Sequence, residues 1–567
     1  MKRLFVIATL VSAFAYSTDA QEAAMQEFGR ADSLRGTLSE FRSNYDVQFY
    51  DLEVELDIPN KSLKGANTIV FKAEESITKM QVDLFENMNI SKVTHGNATL
   101  PFTREYDAVF INLDKTIKRG VIDSIRIEYD GTPIEAIRPP WESGFVWAQD
   151  SLNNPWISVT SEGEGASLWW PNKDHLSDEP DNGVKVSITV PDSLKAISNG
   201  RLIGKEELDG GRAKYIWRNK APINNYNVAL YVGDYVTYKE YYNPRPQLTA
   251  AGSSNNNSRT LDMDFYVLRY NLDKAKQHFE FTEKMFMVFE TFFGPYPFYE
   301  DGYAVVEAPY LGMEHQAAIA YGNNYQFGWN GELAIPYIEF DYLLVHETAH
   351  EWWGNNVSAA DIADLWIHES FTTYADAAYV FSSFGLEGYK KYMDHYKTLV
   401  KNDKPIIGQY DVNDHKASLD AYYKGALMLG TISQLVESNR DWFGTLQKIQ
   451  QEFAAPRTIS TEELQAFMEQ ELRIELDKIF DQYLRTTEVP TLRVKLMKQG
   501  KDQYAVYRWE NVVEGFDMPI KMKTGRYDDK WIYPTEKWKK AKISKSTDMN
   551  FFGIDDRSFY INLIMEE

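Results

Sequence analysis

The hydrophobic period of this chain changes twice, and that limits the folds open to it. Between about 45 and 245 apolar residues recur at every second position. In YDLEVELDI, for instance, Tyr50, Leu52, Val54, Leu56 and Ile58 alternate with polar residues, as on a strand with one buried face. Similar runs follow at 67–72, 124–129, 184–190 and 226–235, divided by turn residues such as Asp209-Gly210-Gly211. After the polar stretch 251–260 the period lengthens to that of amphipathic helices, over 271–293, 340–353, 361–384, 421–437 and 461–484. From about 489 alternation returns in TLRVKLMK, YAVYRWENV, MPIKMKT and SFYINLIM. The expected fold is multidomain α+β: an all-β domain over 21–248, a mainly helical domain over 249–488 and a small β-sandwich over 489–567. A chain of 567 residues also exceeds what one core usually organises.

Composition narrows the partners. A formal net charge of −23 excludes a phosphate-binding basic face, so no nucleic-acid role is expected. The first residues, MKRLFVIATLVSAFAYSTDAQ, combine a basic start, a short apolar run and small residues, the layout of a secretory leader over 1–20. Cleavage fits after Ala15 or Ala20, and the apolar run is too short to span a bilayer comfortably. The expected product is exported to the periplasm or exterior and soluble, with no stable membrane insertion. There is no cysteine; stability cannot come from disulfides, and any metal must be held by histidine and carboxylate.

One segment of the helical region carries chemistry. In DYLLVHETAHEWWGNN, His346 and His350 stand at i and i+4, on one helical face, where both rings can converge on one ion. Zinc needs a further protein ligand and an open position. Glu369 follows across an 18-residue gap in a second helical segment, and a helix ending at Gly354 can fold it back onto the histidines. Glu347 adjoins the first histidine without facing the ion, the position of a general base for the attacking water. Two buried imidazoles and a carboxylate without a shared partner would be costly, so one Zn2+ per chain is expected.

With these residues in place, the chain resembles the gluzincin zinc aminopeptidases, the family of aminopeptidase N and leukotriene-A hydrolase. Leu311-Gly312-Met313-Glu314-His315 is similar to the family's exopeptidase motif, Trp366-Ile367-His368-Glu369-Ser370-Phe371-Thr372 to its second-helix motif, and Tyr422-Tyr423-Lys424-Gly425 to its Tyr-x-Lys-Gly. The resemblance implies a thermolysin-like zinc domain with His346, His350 and Glu369 as ligands, Glu347 as base and Tyr422 as oxyanion donor. It also implies that Gly312, Met313 and Glu314 bind substrate, with Glu314 anchoring a free α-amino group. A second acidic anchor comes from the segment 160–174, as Glu162 or Glu164. Asp376, seven residues after Glu369 on the same helical face, is placed to orient a ligating histidine.

The chain departs from the family pattern at Leu311, His315 and His368. His368 points about 100° away from Glu369 on a helix and is not expected to be a fourth ligand. The segment after 489 is too short for the helical C-terminal domain of many relatives, so a more open cleft that admits longer peptides is expected. The resulting expectation is a zinc aminopeptidase acting on peptides with a free N-terminus. Its rivals are an endopeptidase or epoxide hydrolase on the same site, or a non-catalytic peptide-binding relative. First-residue preference and oligomeric state are not encoded in any legible pattern.

Overall fold

The computed structural model describes residues 28–244, 259–414, 418–500, 502–524, 529–543 and 552–566. The leader 1–20 and most of the 251–260 stretch lie outside them. Three regions follow one another as the periodicity requires: β-sheets, a helical middle and a terminal pair of small sheets.

The first region is built on an eight-stranded sheet. Its centre pairs Tyr45–Asp57 with Ser62–Ala73 antiparallel and with Val184–Pro191 parallel. Leu52 and Val54 face a core in which Ile69, Phe71, Ile127, Val186 and Ile188 are also buried, while the intervening acids stay near solvent. A four-stranded sheet containing Pro155–Thr160 packs into the same core, and the loop leaving that strand carries Glu162.

A five-stranded mixed sheet joins this region to the helices. Its order is Tyr235–Tyr242, Leu261–Leu268, Tyr303–Glu307, Ile319–Tyr321 and Gly312–Met313. The strand Tyr235–Tyr242 pairs with Leu261–Leu268, so the central sheet begins ahead of the 248/249 boundary read from the sequence. Gly312–Met313 is the edge strand, antiparallel to Ile319–Tyr321.

The expected strand over 226–235 is not formed as read. Asn225–Asn227 is a 3-10 turn, and the run is extended only at Tyr231–Gly233 and again at Tyr235, where the next strand begins. The cause is side-chain amides that bond across the domain boundary. Asn224 donates to the Gly354 carbonyl at 2.7 Å, and Asn227 to the Asn355 side chain at 2.6 Å.

Among the helices, α1 (Thr282–Phe293), α2 (Tyr342–Ala349), α3 (Trp366–Leu399) and α4 (Asp420–Leu435) build the middle domain. Helix α3 is broken at Gly385 (φ 73°). The expected helix over 461–484 is two, Thr461–Leu472 and Asp477–Arg485, because Arg473 turns into the left-handed region at φ 58°. Four- and three-stranded sheets formed from 491–566 complete the chain as the expected sandwich. No described helix is long and apolar enough to cross a membrane.

Candidate active site

Helix α2 is short and buried because its first turn is anchored from below. Asp341 accepts from the Leu344 amide at its N-cap and also binds His278, Tyr321 and Asn323. From that start the helical repeat aims His346 and Glu347 into a cavity. His350, in the cap with φ −59° and ψ −23°, continues the same face. The helix ends earlier than expected, at Ala349 with His350 as its cap, and Gly354 instead turns the following loop at φ 116°, where a Cβ would sit 3.2 Å from the His350 ring.

Helix α3 packs against α2 and brings Glu369, in its first turn, onto the histidines. Its Oε2 lies 3.7 Å from Nε2 of both His346 and His350. A tetrahedral zinc with bonds near 2.1 Å has ligand–ligand edges of about 3.4 Å. All three ligand atoms fall within 4.8 Å of one another. Both Nδ1 positions are engaged elsewhere: His346 with Asp376 at 2.9 Å, and His350 with the Trp353 carbonyl at 2.9 Å. Each ring is thus oriented with Nε2 toward the others. The Glu369 Oε2 itself is buried with no hydrogen-bond partner, an acceptor that a cation would satisfy. This donor set fits zinc.

The distance between α3 and α4 is set by one glycine. A Cβ at Gly425 would lie 1.7 Å from the Ser370 hydroxyl, and Ser370 donates to the Ala421 carbonyl at 2.5 Å. That close approach brings Tyr422 to the metal side. Its ring lies 6.2 Å from His346 and nearly parallel, and its hydroxyl contacts the Glu369 carboxylate. Burial and the neighbouring carboxylates raise the Tyr422 pKa well above normal, so it stays a donor. Tyr423 packs against Tyr396 at 5.4 Å. His368 is no ligand: its Nε2 accepts from the Ala359 amide at 2.8 Å.

The opposite wall is acidic. Glu314, at the end of the edge strand, and Glu162, from the first domain, present oxygens within 4.8 Å of each other and of Glu369. Glu164 instead pairs with Arg35, so of the two alternatives Glu162 is the one at the cavity. Burial first, and then mutual repulsion with the other acids, push Glu162 and Glu314 well above the carboxylate range. Burial likewise raises Glu347, despite the opposing pull of His346. The cavity, of about 260 Å³, has no lysine or arginine among the described residues of its wall. The edge strand runs close against Glu347, since a Cβ at Gly312 would stand 2.5 Å from its carboxylate.

Tyr226 belongs to this wall and was not legible in the sequence. Its hydroxyl donates to Glu314 at 3.1 Å and lies 3.3 Å from the His368 Nδ1. Since His368 Nε2 is an acceptor, its Nδ1 carries the proton and donates to Tyr226, so the chain of bonds ends on the Glu314 carboxylate. The one available signal was INNYN, three asparagines in an otherwise strand-like run.

Comparison with known proteins agrees with this geometry. Residues 270–483 match the peptidase family M1 domain. Leucyl aminopeptidase of Saccharolobus solfataricus is 22% identical over 335 residues, 58% of this chain and 38% of that protein. Leukotriene A-4 hydrolase of Xenopus laevis is 22% identical over 456 residues, 75% of this chain and 68% of its own length. An M1 zinc metallopeptidase from Deinococcus radiodurans shares the fold, with TM-score 0.63 and 22% identity, covering 80% of this chain and 97% of that one. The match to the first of these relatives spans well under half of its length. The stretch 270–483, which holds the candidate metal triad, is similar to the peptidase family M1 domain.

Proposed function

We infer that this protein is a zinc-dependent aminopeptidase, removing N-terminal residues from peptides. The observation that carries the reading is the buried acidic wall. Glu162 and Glu314 stand beside the candidate metal triad with no lysine or arginine among the described residues lining the cavity, and a substrate ammonium is the charge that completes them. Zinc, held by His346, His350 and Glu369, supplies Lewis acidity toward the scissile carbonyl and the attacking water.

The chain's own residues do the rest. Glu162 and Glu314 bind the α-ammonium, and Tyr226 and His368 hold Glu314 in position. The edge strand Gly312–Met313 offers unpaired backbone groups along which an extended peptide can lie. Glu347 takes a proton from the attacking water and passes it to the departing amine. Tyr422 donates to the oxygen on which negative charge develops. Asp376 keeps His346 in the tautomer whose Nε2 is free. We also place the protein outside the cytoplasm, on the strength of the leader-like residues 1–20.

The test is a panel of peptides with free and N-acetylated termini, assayed with the native protein and with Glu347→Gln. Cleavage of free peptides alone, lost in the variant, supports the reading. Equal cleavage of acetylated peptides replaces it with an endopeptidase, and zinc binding without any cleavage replaces it with a peptide-binding protein.

A further inference from the structure

The candidate active site does not end at the metal. A second cavity of about 340 Å³ adjoins it, and both share Trp141 and Leu311 as walls. Its floor and sides include Trp156, Tyr310, Tyr321 and Tyr325, with Asn324 and Asn330 at its mouth.

The order of groups along the edge strand gives this cavity a direction relative to a bound peptide. Glu314, the amine anchor, lies at the C-terminal end of Gly312–Met313. Gly312 stands against Glu347, which fixes where the bond is cut. Leu311, Tyr310 and Pro309 precede Gly312 in the chain and line the second cavity. A peptide running antiparallel to the strand therefore passes from Glu314 to Glu347, and its next residues reach Leu311 and the second cavity.

The chemistry of the walls selects the occupant. The largest lining side chains are aromatic, and proline, alanine and leucine fill in between them. Its one carboxylate, Glu307, is consumed internally, accepting from the Leu268 amide at 2.8 Å, Asn271 at 2.6 Å and Tyr325 at 2.7 Å. Among the described residues no lysine or arginine lines the cavity. Trp156 spends its N–H on Tyr235 and the Glu307 carbonyl, so it presents an apolar ring face. A charged side chain entering this space would lose water without gaining a partner.

We propose that this second cavity binds the residues downstream of the cleaved bond and selects peptides with aromatic or large apolar side chains there. The proposal rests on the aminopeptidase reading, because Glu314 sets the direction of the substrate. It adds to that reading a preference on the leaving side of the bond.

The test uses the amino acid X whose amide the native, zinc-loaded protein cuts best. The substrates X-amide, X-Gly-Gly, X-Phe-Phe and X-Lys-Lys are followed by chromatography. The native protein is expected to favour X-Phe-Phe over X-Gly-Gly by at least about tenfold in kcat/KM. The double variant Asn324→Asp/Asn330→Asp changes only the mouth. Both residues are exposed and sit at φ 54° and 49°, a conformation that aspartate tolerates. It is expected to raise X-Lys-Lys relative to X-Gly-Gly by about fivefold and to leave X-amide unchanged. Equal rates for X-Phe-Phe and X-Gly-Gly with X-amide still cut would overturn this proposal alone, as would a double variant that alters every substrate in proportion. If no amide or peptide is cut, the aminopeptidase reading falls and this inference falls with it.

Discussion

The two halves of the site are assembled in different ways. The metal half comes from two helices: His346 and His350 one turn apart, and Glu369 in the first turn of the next long helix. The amine half comes from three pieces of irregular backbone in two domains: Glu162 in a loop, Glu314 after a two-residue edge strand, and Tyr226 in a 3-10 turn. Helical repeat enforces the first geometry locally. The second exists only once the domains have docked through buried asparagines such as Asn224 and Asn227. Cutting and measuring are therefore separable: metal binding should survive damage to the amine half, whereas terminal selectivity should not.

Substitutions sharpen that contrast. Glu347→Gln removes the base and leaves the ligands, so kcat should fall by about a thousandfold or more while zinc content by atomic absorption stays at the native level. Removing zinc with a chelator should abolish hydrolysis, and adding zinc back should restore it. Asp376→Asn acts one bond further out, by freeing the His346 ring. A loss of about tenfold to a hundredfold in zinc affinity, read by competition with a fluorescent chelator, is expected. Tyr226→Phe strikes the amine half instead. It should raise KM for free-amine substrates by about tenfold, with zinc affinity unchanged. A Tyr226→Phe variant with weakened zinc affinity would show that the halves are not independent.

The last effect concerns a buried acid in neither half. Glu179 is only 2% exposed, and burial pushes its carboxyl from the usual 4.5 to about 8, with Ser358 partly offsetting. Because the folded pKa is raised, the fold holds this group neutral. The associated penalty is absent below about pH 4.5 and grows until about pH 8. Glu179→Gln should therefore leave stability unchanged near pH 4.5 and improve it as pH rises, by on the order of several kcal/mol at pH 8, measured by denaturant titration.

What could be read from the sequence follows the same division. The HETAH spacing, the gap to Glu369 and the strand–helix–strand order were legible because each is a local period or a fixed helical offset. Glu314 and Glu162 were reached only through likeness to a family motif, since no local pattern ties a loop carboxylate in one domain to an edge strand in another. The asparagine run near Tyr226 looked like a strand because its amides find their partners more than a hundred residues away. The helix break at Arg473 was likewise invisible to hydrophobic periodicity, which continues across it, whereas the period read over 361–384 stops just ahead of the break at Gly385.

The central claim is that one end of the site cuts while the other recognises a free amine. It is tested most directly by the ratio of kcat/KM for a peptide with free and N-acetylated terminus, in the native protein and in Glu314→Gln, at equal zinc occupancy. The account predicts a ratio of at least about a hundred in the native protein that collapses toward one in the variant through loss of the free-amine rate. A native ratio near one, or a variant that keeps the native ratio at full zinc occupancy, would contradict it.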